Sequence, residues 1–337
     1  MRAVKTEGPL EYDSLESLRR PSLVFARLLP GRTHHQFATQ LVERGLPVEH
    51  VQDGPIEPGR VELVLMWGVP GWYPQAVRSL VELAPSVRPR VLLWHTEPLP
   101  LPRAAGFPVE RRSARELAKI ALRDKRVTDA RSNLERLLRL TRYGFPDVLV
   151  VPHRASADTL AEHGIRADVV PIGSGPRHCV DLGLERNIDV LFLGELRVPR
   201  RRRLLRRLCR IGLDVTAVGD WSNPAFFGEG RARLLNRSKI LLNLGRFPGQ
   251  MASHRFVLGM GAGALVVSEP VYGPEPFVPS EHFVSATLDE LPSVVDHFLA
   301  DEPERAAIAQ RGRRFVCEEV TMARSIAQLG VLVARRP

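Results

Sequence analysis

The stretch Arg237–Pro270, RSKILLNLGRFPGQMASHRFVLGMGAGALVVSEP, decides the fold class of this chain. It contains an apolar strand, a loop with glycine and proline, a helix rich in small residues and a second apolar strand. Continuous apolar strands separated by a helix are typical of a parallel sheet that is covered on both faces. The stretch therefore predicts one βαβ unit of an α/β protein.

The same alternation runs along the whole chain. Before this stretch, apolar runs alternate with helical patterns, at residues 22–28, 61–68, 90–97 and 147–153. A polar segment that contains glycine follows, and the alternation begins again at Ile188. We therefore predict two Rossmann-like, doubly wound parallel-sheet domains facing across a cleft. The first domain covers residues 1–175, the linker 176–187 and the second domain 188–337.

The composition limits the classes of protein to consider. The chain has 337 residues, 44% of them hydrophobic, and no run approaches the ~18 apolar residues of a membrane span. Its first residues lack the apolar core of a signal peptide, so we expect a cytoplasmic protein. The three cysteines, Cys179, Cys209 and Cys317, are far apart and form no CxxC. We expect them to be buried free thiols rather than a disulfide framework or a zinc site.

The formal net charge of +10 favours anionic partners. The densest basic run is Arg197–Arg210, whose leucines have helical spacing, so its arginines form the other face of an amphipathic helix. A solvated face is the favoured interpretation, and we place Arg200 and Arg201 on it, although both could reach an anion. The run lacks interleaved aromatic residues, which argues against nucleic acid as a partner. Peripheral contact with an anionic membrane stays open.

The loop in the opening stretch has the features of an anion site. In open parallel sheets, ligands bind beyond the carboxyl ends of the strands, where Gly245–Ser253 lies. The helix that follows offers free N–H groups and a favourable dipole. His254 and Arg255 add positive charge, and arginine suits a phosphate. These features suggest a diphosphate site, and a solvated surface is the alternative for the basic pair.

Several segments also resemble the C-terminal domain of GT-B glycosyltransferases, most closely the group 1, CgeB-like families. From Ile188 onward the resemblance rests on IDVLFLGELRVPRRRRLLRRL, LLNRSKILLNL, HRFVLGMGAGALVVSEP and DEPERAAIAQRGRRFV. In the first half, GRTHHQFATQLVERGLPVEHV and DVLVVPHRASADTLAEHGIRADVVPIG resemble parts of the same fold.

The resemblance implies a glycosyl transfer that releases a nucleoside diphosphate. A nucleotide-sugar donor would lie against the second domain, and a glycan, lipid-linked or small-molecule acceptor against the first. No cofactor is expected, and no Asp-x-Asp occurs in the chain, so we predict no metal. Preorganised cations would stabilise the leaving group. The matching donor-binding positions are Gly194, Lys239, Ser253, His254 and Arg255.

One departure from the family pattern bears on activity. Many relatives carry a glutamate for the donor ribose five residues before the glycine at position 263, where this chain has Leu258. The partner position seven residues earlier is Met251. Glu269 and Glu275 lie beyond the next strand. Each is either a substitute ligand for the ribose or a solvated loop carboxylate. The departure raises an alternative function, a non-catalytic GT-B-like partner protein that binds a nucleotide or a sugar.

Candidate catalytic groups lie in the first half. His34 and His35 stand at a probable helix start facing the cleft, where a histidine serves as a base or binds a phosphate. Glu97, past a strand, is a candidate base. His95 and His153 occupy strand ends and are candidate acceptor contacts. A surface, capping or turn role is the alternative for each.

Overall fold

A computed structural model gives the architecture and describes residues 18, 22–25, 33–44, 46, 48–51, 53–108, 117–118, 130–219 and 227–335. Two parallel sheets form the two domains. The first sheet has the order β2-β1-β3-β4-β5-β6 and the second β11-β10-β9-β7-β8. The strands are β1 Ser22–Phe25, β2 Val48–Val51, β3 Leu63–Trp67, β4 Arg90–Trp94, β5 Val148–Val151, β6 Asp168–Val169, β7 Ile188–Leu193, β8 Thr216–Val218, β9 Ser238–Asn243, β10 Leu265–Ser268 and β11 Val284–Ser285.

Helices cover both faces of each sheet, as the alternation in the sequence predicts. They are α1 Thr33–Glu43, α2 Pro74–Glu82, α3 Ala130–Thr141, α4 Arg154–Ala161, α5 Pro199–Arg210, α6 Gly228–Asn236, α7 Ser253–Gly261, α8 Leu291–Ala300, α9 Glu302–Glu318 and α10 Met322–Arg335. Short 3₁₀ turns occupy Pro70–Trp72, Arg103–Ala105 and Pro176–His178.

The apolar strands divide their side chains between two cores. In β3, Leu63, Leu65 and Trp67 pack into one core, whereas Val64 and Met66 pack into the other. Alternate residues of a strand point to opposite faces, so a strand buried on both faces has to be apolar throughout. β7 divides its residues between two cores in the same way. This burial explains why the strands read as continuous hydrophobic runs.

The last helix corrects the predicted domain boundary. Met322, Ile326, Leu329 and Val333 of α10 lie in the core of the first domain, together with Phe37 of α1. Their spacing gives α10 one apolar face, which buries itself on the first sheet. The second domain therefore does not extend to residue 337 as predicted, because the chain returns to the first domain.

The two crossings between the domains lie side by side. Ser174, in the first crossing, donates its N–H to the carbonyl of Val320 at 2.7 Å. The N–H of Met322, in the second crossing, donates to the carbonyl of Ser174 at 2.8 Å. The Ser174 hydroxyl also donates to the carbonyl of Val316 at 2.7 Å. The two connections therefore form one hydrogen-bonded pair.

The carboxyl ends of the two sheets face each other. Gly249, in the loop after β9, lies against the loop after β4, where a Cβ on it would come within 2.5 Å of the Phe107 ring. Gly249 also has a φ of +76°, which an L side chain rarely adopts. Tyr272, after β10, donates its hydroxyl hydrogen to Asp158 of α4 at 3.1 Å. These contacts show that the carboxyl ends of the two sheets approach each other, as the predicted arrangement requires.

Three details differ from the sequence predictions. The strand β2 was not predicted, because it is a short edge strand with the polar sequence VEHV, and edge strands lack the apolar signature. Cys179 and Cys317 form a disulfide with a Cα–Cα distance of 5.8 Å, so the expectation of free thiols was wrong for this pair. Their separation of 138 residues gives no local spacing that would indicate it. Cys209 is free as expected, but exposed.

Candidate functional site

The strongest group of charged residues lies at the carboxyl ends of β7, β9 and β10. Gly194 follows β7, Gly245 lies just beyond β9, and Glu269 follows β10. Parallel strands bring these ends together at one edge of the sheet. Helices α5 and α7 point their first turns at the same edge and supply the charged side chains.

Arg255, in the first turn of α7, is the centre of this group. It is buried, and its Nε donates to the carbonyl of Leu193 at 2.8 Å. Its Nη1 donates to Oδ1 of Asn243 at 2.6 Å and to the carbonyl of Leu244 at 3.2 Å. A Cβ at Gly194 would lie 2.7 Å from its Nη2. The guanidinium is thus held rigidly between two strand ends, with Nη2 toward Gly194.

A buried ion pair borders Arg255. Arg200 of α5 donates from Nη1 to Oε1 of Glu269 at 2.8 Å and from Nη2 to Oε2 at 2.5 Å. Glu269 also accepts the N–H of Gly245 at 2.6 Å. Its side chain is 4% exposed, and that of Arg200 is 18% exposed. The interpretations of Glu269 as a solvated carboxylate and of Arg200 as part of a solvated face were therefore wrong.

Arg201 is also turned inward, against the prediction. It is buried, and its Nε donates to the carbonyl of Leu244 at 2.9 Å. It shares a helix face with Leu205 and Leu208, which are buried too. Its spacing from these leucines is the sequence signal that could have predicted its burial, because residues at i, i+4 and i+7 lie on one face of a helix.

The site carries more buried positive than negative charge. Burial, together with the nearby cations of Arg255 and Arg246, lowers the pKa of Arg201 to about 8. Burial also lowers the pKa of Arg255 to about 10. Four guanidinium groups face two carboxylates, those of Glu269 and Glu195. An anion at this edge would relieve the mutual repulsion, and the first turn of α7 points its dipole there.

The structure brings together four of the predicted donor residues and leaves two apart. Gly194, Ser253, His254 and Arg255 lie at the carboxyl edge, with Ser253 buried at the start of α7. Lys239 instead lies at the amino end of β9, where its Nζ is 2.6 Å from Oδ1 of Asp189. That edge is opposite to the arginines. Glu275 is exposed in the loop after β10 and takes no part in the ion-pair group.

The facing edge of the first sheet is aromatic and neutral. Trp94 ends β4, and its ring centroid lies 4.7 Å from that of Trp67. His95 follows and is almost fully buried. Neither of its ring nitrogens has a hydrogen-bond partner among the described residues. Burial lowers the pKa of His95 to about 3, so its ring is neutral at pH 7.

The other candidates of the first domain lie around this edge. His153 precedes α4, its Nδ1 lies 3.0 Å from Oγ of Ser156, and burial lowers its pKa to about 4. Glu97 is partly exposed in the loop after β4. His34 and His35 lie in the first turn of α1, and their side chains are outside the described part of the structure.

A cavity of about 520 Å³ was not predicted, and Leu258, three residues after Arg255 on α7, lines it. It lies between α1, the linker, α6 and α7. His178 of the linker lines it, and the ring centroid of His178 lies 5.9 Å from that of His254. Leu258 also lines it, whereas Met251 is buried in the core of the second domain. The two positions at which this chain departs from the family pattern are thus apolar and enclosed.

The described residues contain neither a metal-ligand cluster nor a membrane-spanning helix. Within the described residues, no three His, Cys, Asp or Glu side chains come together as a metal site. Across the same ranges, the helices include none that is both long and apolar enough to span a bilayer.

Comparisons with known proteins agree with this architecture. Residues 200–330 match the profile of a family described as glycosyl transferase-like. No curated protein sequence matches the chain. The structure of HepE from Anabaena in complex with UDP and glucose has a TM-score of 0.55 at 13% identity, covering 99% of this chain and 98% of HepE.

Two further solved structures show the same likeness. AviGT4, a glycosyltransferase involved in avilamycin A biosynthesis, has a TM-score of 0.53 at 14% identity and covers 94% of this chain and 97% of its own. An alpha-glucosyltransferase in complex with UDP has a TM-score of 0.58 at 9% identity, with 93% and 99% covered. The chain therefore has the GT-B fold, as predicted, and residues 200–330 are similar to the glycosyl transferase-like family. The CgeB-like assignment stays a prediction.

Proposed function

We propose that the chain is a glycosyltransferase that moves a sugar from a nucleotide-sugar donor to an acceptor hydroxyl without a metal ion. The observation that carries the proposal is the buried excess of guanidinium groups around Arg255, beside the first turn of α7. A diphosphate is the leaving group that such a site would accommodate. Relatives in fold that bind UDP or UDP with glucose support this choice of donor.

The charge distribution suits the chemistry. During transfer the bond from the anomeric carbon to the diphosphate oxygen breaks, and its electron pair stays with the diphosphate. Cations that are already fixed in position stabilise this developing charge without reorganisation. Arg255 and Arg201 are fixed by backbone carbonyls and so meet this requirement.

The acceptor side of the proposal rests on the first domain. The acceptor hydroxyl attacks the anomeric carbon and passes its proton to a base or to the departing diphosphate. His34, His35 and Glu97 are the candidate bases, and His95 and His153 are candidate acceptor contacts. A glycan, a lipid-linked sugar and a small molecule are all acceptors compatible with a wide cleft.

The partners follow from the charges and the composition. We propose no nucleic-acid partner and no cofactor. The outer face of α5 is basic, because Arg202, Arg203, Arg206 and Arg210 are exposed. That face suits peripheral contact of a cytoplasmic enzyme with anionic headgroups.

The test is a calorimetric titration of the whole chain with UDP, GDP, ADP, TDP and inorganic diphosphate, with and without EDTA. We expect at least one nucleotide to bind in EDTA. Arg246→Gln removes one cation without removing a hydrogen bond described for its side chain, and it should weaken binding about tenfold. Arg203→Gln, on the exposed face of α5, is the matched control and should bind as the wild type does. Equal binding by both variants, or no binding of any of these anions, contradicts the proposal.

A second candidate function is a non-catalytic protein that binds a nucleotide or a sugar. Leu258 and Met251 favour it, because both are buried and apolar where the family pattern has hydrogen-bonding residues. Hydrolysis of nucleotide sugars, followed as release of nucleoside diphosphate over hours, separates the two functions. Tight binding with no release from any donor supports the non-catalytic one.

A further inference from the structure

We propose that the cavity lined by His178 and Leu258 holds the nucleoside of the donor and that His178, on the linker, donates a hydrogen bond to an acceptor atom of its base. This inference rests on the proposed function, because the arginines would hold the attached diphosphate. It adds a specificity-determining residue from the segment between the two domains.

The position of the cavity fits a group that is covalently attached to the diphosphate. Arg255 and Leu258 are three residues apart on α7 and therefore lie on the same side of the helix, about 4.5 Å apart along its axis. Arg255 faces the anion site, and Leu258 lines the cavity. A nucleoside joined to a diphosphate at Arg255 would reach this cavity without a spacer.

The size and lining of the cavity fit a nucleoside as well. Its volume of about 520 Å³ lies within the range of about 300–1,000 Å³ that is usual for small-ligand sites. Most of its surface is apolar and includes Val180, Leu182, Leu235, Leu258 and Ala262, and four charged residues, Glu43, Arg177, Glu229 and Arg231, also line it. Apolar walls suit the faces of a base, and a few polar groups then decide which base fits.

Asn236 contributes shape rather than recognition. Its Oδ1 accepts the N–H of Leu182 at 3.0 Å, and its Nδ2 donates to the carbonyl of Ala232 at 2.9 Å. Both ends of the amide are thus committed to the protein. The bond to Leu182 fixes the linker on α6 and keeps the cavity wall in place.

His178 is a buried polar group of the wall with an unused donor. Its Nδ1 accepts the N–H of Gly175 at 3.1 Å, so the proton of the neutral ring is on Nε2. The ring is more than nine-tenths buried, and Nε2 has no partner among the described residues. Burial lowers the pKa of His178 to about 4, and the charge of Arg231 acts in the same direction. The ring is therefore a neutral donor with a fixed tautomer.

A buried donor without a partner is costly, and a carbonyl oxygen or ring nitrogen of a base would satisfy it. Phosphate oxygens are not the partner in this arrangement, because the arginines bind them one helical turn away. His178 would thus contribute to the affinity for nucleoside diphosphates and not to the affinity for inorganic diphosphate.

Two substitutions separate the two ends of the His178 ring. His178→Asn places an amide near Nδ1 and keeps an acceptor for Gly175, but it removes the far donor. His178→Gln places an amide N–H near Nε2 and keeps the donor. Ala232→Leu, on the opposite wall, fills part of the cavity, and Ala161→Leu on the exposed side of α4 is its matched control.

The experiment is a titration of the whole chain and these variants with inorganic diphosphate, UDP, TDP, GDP and ADP. In the wild type we expect one nucleoside diphosphate to bind at least tenfold more tightly than inorganic diphosphate. His178→Asn should lose about tenfold for that nucleotide, the equivalent of one buried hydrogen bond. Ala232→Leu should lose about as much, because its larger side chain occupies part of the cavity, whereas inorganic diphosphate should bind both variants as it binds the wild type. His178→Gln should stay within about threefold of the wild type.

The outcomes distinguish this inference from the proposed function. If inorganic diphosphate binds but no nucleoside adds affinity, or if His178→Asn binds nucleotides like the wild type, the inference about the cavity is wrong and the anion site stands. If neither inorganic diphosphate nor any nucleotide binds, the proposed function is wrong, and this inference is wrong as well.

Discussion

The two sheets present their carboxyl ends to the same cleft, but with opposite chemistry. The first sheet ends in Trp67, Trp94 and His95, which are buried and neutral at pH 7. The second ends among buried arginines with Glu269. Both ends have the same parallel topology, so topology does not decide which one attracts an anion. The side chains at the strand ends decide it. We call the end of the second sheet the charged half of the cleft and the end of the first sheet, with its buried uncharged rings, the neutral half.

Removing the carboxylate from the charged half should produce the largest effect on stability. Glu269→Ala leaves Arg200 buried beside other cations, and the N–H of Gly245 loses its acceptor. We expect the free energy of unfolding to fall by about 3–5 kcal/mol, measured by denaturant unfolding. The exposed pair of Glu229 with Arg233 is the matched control, and Glu229→Ala should cost only about 0.3–0.5 kcal/mol. Similar losses for both variants would remove the distinction between this cluster and an ordinary surface pair.

The neutral half should respond to pH. Burial lowers the pKa of His95 to about 3, whereas the unfolded value is about 6.5. Below pH 6.5 the unfolded chain therefore binds a proton that the native ring does not, so stability falls as the pH falls toward 3. His95 contributes about 1.4 kcal/mol per pH unit to this loss between pH 6 and 4.

His95→Phe should flatten the stability curve by that slope, measured as unfolding free energy at several pH values. Trp94→Phe is the control, since it alters the adjacent buried residue without removing a titratable group. An unchanged slope in His95→Phe would show that His95 is not the neutral buried ring described above.

The contact between the two halves should give the smallest effect. Tyr272→Phe removes the hydrogen bond from the hydroxyl of Tyr272 to Asp158, which is only partly buried. We expect a loss of about 0.5–1 kcal/mol in unfolding free energy. Tyr143→Phe, at a largely exposed tyrosine, should change nothing measurable. A loss above about 2 kcal/mol would mean that the two halves depend on each other more than one hydrogen bond allows.

The fold was predictable because its signal is local and repeated. Strands such as β3 and β7 are buried on both faces, so their sequences are apolar throughout and stand out from the helices between them. β2, and the domain in which α10 packs, were not predicted, for different reasons. β2 is a polar edge strand, and the destination of α10 depends on which domain offers an apolar surface to it.

The site was predictable only in part. Arg255 was predicted as an anion ligand from a local pattern, because it lies in the first turn of a helix that follows a strand. Glu269 and Arg200 were misread because their burial arises from three strand ends and a helix meeting in space, and no short stretch of sequence contains that contact. His178 was missed for a similar reason, since the cavity around it is built from segments of both domains.

The paired crossings at Ser174 and Val320–Met322 form a hinge of two chain segments that are hydrogen-bonded to each other. Any opening of the cleft has to rotate about this short, hydrogen-bonded pair, because each domain is held there by two chain segments. A single cut in the linker would also leave the two halves of the cleft joined, since α10 remains in the core of the first domain.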